Sequence, residues 1–306
     1  MINLSGEFHT ASFSDLQTAV LQTIAYADVF DYPLTLSEIH RYLIGVRVNK
    51  KVLEQVLNAN FPISAKNGYF TLPKRESLAA VRHRRDQIAN RLWSQAVKYG
   101  GVISRLPFVR MLAVTGSLAM NNVDLDPDID YFLVTARGRL WMVRAMALAV
   151  ARLAAFQGVR LCPNYLVSED ALDLPQQTLY AAHELAQMVP IYGLDWYERI
   201  CRRNSWKDHF LPNAQGTPLL SGQYGIRTVN HNLKLVFERA LRLPPGAWLE
   251  NWEMKRKIFK LSREQSESPE SFFTADCCKG HNLQHGQRTE HELSERLQDL
   301  HLEVPV

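Results

Sequence analysis

The chain has 306 residues, of which 46% are hydrophobic and 22% charged, and its formal net charge is +4. That length supports two or three small domains with buried cores, and the composition excludes an intrinsically disordered chain. The mild positive charge permits a nucleotide or nucleic-acid partner without requiring one.

Taken in chain order, Ser14-Asp-Leu-Gln17 reads as a capping box opening a first helix, on which Leu16, Val20, Leu21, Ile24 and Ala27 keep helical spacing. Asp31-Tyr-Pro33 breaks it, and Thr35-Leu-Ser-Glu38 opens a second helix that Gly45 ends. A third helix is expected over 49–58. Asn67-Gly68 then stands between two short apolar runs, the strongest local signal for a β-hairpin. Three helices followed by a hairpin predict an N-terminal winged helix-turn-helix over residues 1–75. Asn49, Lys50, Lys51 and Gln55 would lie on the outer side of its third helix, which makes DNA a candidate partner. A basic connecting helix is expected over 76–101, with Ile88, Leu92, Trp93 and Ala96 on its packed side.

Residues 102–175 read differently. An apolar run, Met111–Val114, stops at Gly116-Ser117, and a second, Tyr131–Val134, follows Asp128-Ile-Asp130. Alternation along a strand puts Asp128 and Asp130 on one face, about 7 Å apart, with Ile129 turned into the core. Carboxylates so placed can share hard divalent cations, and a Gly-Ser turn offers backbone N–H groups to phosphate. Like charges as dense as Asp124, Asp126, Asp128 and Asp130 repel unless a cation or protons neutralise them. A helix over 140–156 and a strand over 158–168 complete the region.

Gly116, Ser117, Asp128, Ile129, Asp130 and Tyr131 resemble the signature of the DNA polymerase β-like nucleotidyltransferases, in which Gly-Gly/Ser precedes Asp-apolar-Asp/Glu by roughly ten residues. The resemblance covers about residues 105–175. It implies an α+β fold with a mixed sheet and flanking helices. It also implies an enzyme that transfers a nucleoside monophosphate from an NTP to an acceptor and releases pyrophosphate. By resemblance, Asp128 and Asp130 are catalytic and ligate Mg²⁺ or Mn²⁺, while Gly116 and Ser117 hold phosphates. The family's third carboxylate falls here at Asn164 or Tyr165, neither of them acidic; Glu169 and Asp170 are the alternatives. Arg137, Arg139 and Arg144 are candidate triphosphate clamps. The acceptor stays open among small molecules, proteins and RNA ends. A different reading is a DNA- or protein-binding regulator whose degenerate domain senses nucleotide.

Residues 176–306 read as a mostly helical domain and tail, with helices over 179–188, 196–203, 229–243, 252–263 and 290–300. His183, Glu184 and Gln187 share one helical face. Lys279 and His281 flank Gly280 in an expected loop, and Lys279 is a candidate phosphate contact. Cys162, Cys201, Cys277 and Cys278 lack the spacing of a disulfide framework. The start has no basic leader, and 140–156, which carries Arg144 and Arg152, falls short of a bilayer span. A cytoplasmic protein with no membrane partner is therefore expected.

Overall fold

The computed structural model describes residues 12–59, 61–125, 127–218, 223–225, 231–264, 271–280 and 285–305. The fold is mixed α+β, and no described helix is long and apolar enough to cross a membrane. The chain divides into two compact units. One gathers residues 1–80, 208–215 and 291–306; the other holds 81–207 and 216–290.

The first unit opens with α1 (Phe13–Asp28), β1 (Leu34–Thr35), α2 (Leu36–Tyr42), α3 (Lys50–Leu57), β2 (Ser64–Lys66) and β3 (Tyr69–Thr71). The capping box of α1 sits two residues earlier than the sequence suggests. Ser12 accepts from the Asp15 backbone N–H, and the Asp15 carboxylate accepts from the Ser12 N–H. Thr35 and Glu38 cap α2 as expected. Asn67 and Gly68 take φ values of 54° and 80°, as a tight hairpin turn requires. The sheet order is β1-β3-β2, all antiparallel. Leu16, Val20, Ile24, Ile39, Leu53 and Val56 are buried. The late segments complete this core: Leu293 and Leu297 are also buried, and Arg296 Nε donates to Asp28 at 3.0 Å.

The second unit follows along α4 (Leu78–Ser104), β4 (Val109–Thr115), α5 (Gly116–Ala119), β5 (Ile129–Thr135), α6 (Leu140–Ala155) and β6 (Leu161–Ser168). It continues through α7 (Leu179–Gln187), β7 (Val189–Tyr192) and α8 (Leu194–Arg203), while α9 (Lys207–Phe210) belongs almost wholly to the first unit. Among the described residues, α10 (His231–Leu241), α11 (Pro244–Glu264), β8 (Phe272–Phe273) and β9 (Cys277–Lys279) come last in this unit, and α12 (His285–Asp299) runs from it into the first. The six-stranded sheet has the order β7-β4-β5-β6-β9-β8. β5 and β6 are parallel, joined across α6, and the other pairs are antiparallel. Trp93 from α4 and Trp141 from α6 pack one face with Ile129, Tyr131 and Leu133. Phe132 and Val134 face the other way, against Leu185, Tyr197 and Ile200.

The boundary expected at 175/176 does not divide these units, because β7, β8 and β9 complete the sheet begun by β4. The Val189-Pro-Ile-Tyr192 run was obscured by its proline, which an edge strand tolerates. β9 is short and pairs with a strand over 100 residues earlier, a partnership that periodicity does not reveal. Residues 265–270, between α11 and β8, lie outside the described residues.

Candidate functional site

β4 ends at Thr115, directly opposite Asp130 in the ladder. The next residue, Gly116, turns the chain at φ +65°, and a Cβ built there would fall 2.5 Å from Asp130 Oδ2. Only glycine allows the turn to come this close to the carboxylate. Asp130 lies on the face of β5 shared with Phe132 and Val134, while Ile129 is fully buried, the alternation the sequence predicts. Asp128 stands exposed just before the strand. α5, which begins at Gly116, is a single turn, too short for a macrodipole to matter, and Ser117 is exposed on it.

Cys162 is the parallel partner of Asp130 across β5 and β6. Ligand atoms of Asp128, Asp130 and Cys162 all lie within 4.8 Å of one another. Beside them β6 is irregular. Tyr131 faces Pro163 and Phe132 faces Tyr165, so Asn164 is the extra residue of a bulge. Its Nδ2 donates to Asp130 Oδ1 at 3.4 Å. Burial, then the charges of Asp128 and Glu184, raise the Asp130 carboxyl to about 7; hydrogen bonds from Cys162 and Asn164 offset part of that. Burial and the same two aspartates push the Cys162 thiol up to about 12. The cluster thus holds more negative potential than its own hydrogen bonds neutralise, which suits a divalent cation. Two carboxylates suit Mg²⁺ or Mn²⁺, whereas a thiolate in the set would favour a softer ion such as Zn²⁺.

Glu184 reaches the same place from α7. Tyr180 Oη donates to it at 3.3 Å, and Lys279 Nζ lies 4.0 Å away. Lys279 is not in a loop: it is on β9, 3% exposed, donating to Gln176 Oε1 at 2.6 Å. Thr115, Asn164, Glu184, Gln176 and Lys279, with the Phe132 and Tyr165 rings, line a cleft of about 40 Å³, room for a few waters. His183 turns into the core instead, where burial drops its pKa to about 3 and leaves it neutral. His281 lies outside the described residues.

Four expected site residues stand elsewhere. Because β5 and β6 are parallel, whatever follows both strands collects at the far end of the sheet, about 20 Å from Asp130 by strand rise. Arg137 is there, its Nε 3.2 Å from Asp170 and its N–H bonded to Glu169 Oε1. Glu169 also pairs with Arg110 at 3.3 Å. Arg139 lies over the Phe108 ring. Glu169, Asp170, Arg137 and Arg139 therefore all stand apart from the Asp128–Asp130 cluster. Arg144 is the arginine whose charge reaches Cys162. Asp124 leaves the acidic crowd by pairing with Arg85 at 3.2 Å; Asp126 lies outside the described residues.

Comparison with family models, with curated proteins and with solved structures gives no match to this chain.

Proposed function

We propose that the second unit is a metal-dependent nucleotidyltransferase of the DNA polymerase β-like class. One observation carries the reading: the Gly116 turn lies so close to Asp130 that a Cβ at position 116 would fall 2.5 Å from the carboxylate oxygen. Backbone N–H groups at Gly116 and Ser117 orient the NTP phosphates. Asp128 and Asp130 hold the ions, with Cys162 completing the set on one side. When bound, Mg²⁺ or Mn²⁺ neutralises charge on the triphosphate and activates the attacking oxygen.

Glu184 supplies the carboxylate that Asn164 does not. It shares the cleft with Asn164 and acts electrostatically on Asp130. The acceptor oxygen forms its bond to the α-phosphorus, the α–β bridge breaks, and pyrophosphate leaves. Glu184 takes the acceptor's proton. Tyr180 and Lys279 orient Glu184. In the first unit, the order α1-β1-α2-α3-β2-β3 supports a winged helix-turn-helix that docks DNA or protein. A nucleotide-sensing regulator is the second reading, favoured by an amide at position 164 where the family carries an acid.

Calorimetry with each of the four NTPs, with and without Mg²⁺, tests the proposal. Wild type is expected to bind one NTP only with Mg²⁺, and Asp128→Asn/Asp130→Asn to bind none. Metal-independent binding, or equal binding by the double variant, removes the enzymatic reading. Binding that needs both aspartates, with no pyrophosphate release for any acceptor offered, supports the sensor.

A further inference from the structure

α10 and α11 are amphipathic in the unusual sense. Their buried sides carry charges: Lys234, Glu238, Glu250 and Glu253 are 4–6% exposed. Each has a defined inner task. Lys234 Nζ donates to the Ser104 and Val109 carbonyls at 2.9 and 2.6 Å, and Glu238 accepts from the Phe108 N–H at 2.8 Å. Glu250 accepts from the Trp141 and Met142 N–H groups at 2.9 and 2.7 Å. Glu253 pairs with Arg256 at 2.6 Å.

The outward sides expose large apolar side chains. On α10, Leu233, Val236 and Phe237 are 57–60% exposed, with Leu243 just beyond its end. On α11, Trp248, Trp252 and Phe259 are 49–67% exposed, and the two tryptophan rings stack at 6.4 Å. An apolar face of this extent on consecutive helices marks an interaction surface rather than scattered exposure. Cations share it. Arg239, Arg242, Lys255, Arg256, Lys260 and Arg263 are exposed, whereas Glu264 is the one exposed acid between 231 and 264. Arg256 and Arg263 lie over the Trp252 and Phe259 rings.

We propose that this face docks on an anionic lipid surface. The aliphatic side chains and Phe237 enter the acyl boundary, the tryptophans sit at headgroup level, and the arginines and lysines meet lipid phosphates. A second copy of the chain would bring the same cations against each other. Single-stranded nucleic acid would satisfy the cations and the aromatic rings, yet leave Leu233, Val236 and Leu243 in water, because aliphatic chains offer no stacking face. The expectation of no membrane partner rests on the lack of a spanning segment, and a face lying in the interface needs none.

The test is co-sedimentation of the full chain with vesicles of phosphatidylcholine alone or with about 30% phosphatidylserine, at low and high salt. Wild type is expected to partition onto the anionic vesicles at least roughly tenfold better, with the gain lost in high salt. Trp248→Ala/Trp252→Ala and Lys255→Glu/Lys260→Glu are each expected to weaken partitioning by roughly tenfold or more. All four side chains are exposed, so the variants are expected to fold, which an unchanged circular dichroism spectrum checks. Phe156→Ser, on the exposed end of α6, should bind as wild type. Equal partitioning of wild type and both double variants overturns the proposal, as does no partitioning at all. Self-association, or retention of oligo-dT, that the tryptophan variant loses while vesicles are ignored assigns the face to a second copy or to nucleic acid instead.

Discussion

Asp130 is pulled in opposite directions by burial and neighbouring carboxylates on one side and by two donors on the other. Its folded carboxyl rises from 3.8 to about 7. The folded state therefore holds its proton more tightly than the unfolded chain. Stability from this group is full below pH 4, falls as pH rises, and is lost above about 7. A rise of that size corresponds to at most roughly 4 kcal/mol. Asp130→Asn should accordingly raise the melting temperature of the metal-free protein at pH 8, leave it nearly unchanged at pH 4, and abolish Mg²⁺-dependent NTP binding. A variant less stable than wild type at pH 8 in chelator would mean that the carboxylate is not strained there. Gly116→Ala should act through both strain and crowding. It places a methyl group at a positive φ and against Asp130, costing about 1–3 kcal/mol and weakening metal binding. Glu184→Gln is expected to keep NTP affinity within a few-fold while lowering turnover by about 10²–10⁴; unchanged turnover would return the base to an open question. That Gly116, Asp128 and Asp130 come together was legible because their spacing is local. Cys162 and Glu184 were not legible as partners, since a parallel register set across α6 and a helix face folded back from later in the chain bring them in.

Individual elements were read more reliably than their partners. α1, α2, α3, α6, α7 and the Asn67-Gly68 hairpin carry their own caps, periods or turn residues, and each forms where those signals place it to within a few residues. α6 is the informative exception in its cap. Arg139 at its N-cap makes no side-chain capping bond, and Glu250 from α11 accepts from two of its first N–H groups instead. A cap delivered from more than 100 residues away leaves no trace in the local sequence. Glu250→Ala should cost about 1–3 kcal/mol and speed hydrogen exchange at the first turn of α6; an unchanged melting temperature would show that water replaces it without loss. β7 and β9 were missed for a related reason: both owe their existence to strands they pair with, not to an alternation of their own.

Across the whole molecule, the domain plan suggested by the linear sequence and the observed division part company. A contiguous reading assigns 1–75 to one domain and 176–306 to another, whereas the first unit takes its last core residues from 291–306. Leu297, fully buried, should show this directly. Leu297→Ala is expected to cost the first unit about 2–5 kcal/mol, with faster hydrogen exchange in α1 and none of that change in β5. Equal acceleration in both would mean that the two units unfold as one.

That interleaving bears on how the chain is made. A ribosome releases α1, α2 and α3 early, yet the residues that close their core emerge after the entire second unit has been synthesised. At about 5–20 residues per second, the first three helices wait roughly ten seconds or more with one side of their core open. The first unit is thus finished after the second, and a released chain truncated at residue 290 carries every strand of the six-stranded sheet but lacks the residues that close the core of α1, α2 and α3.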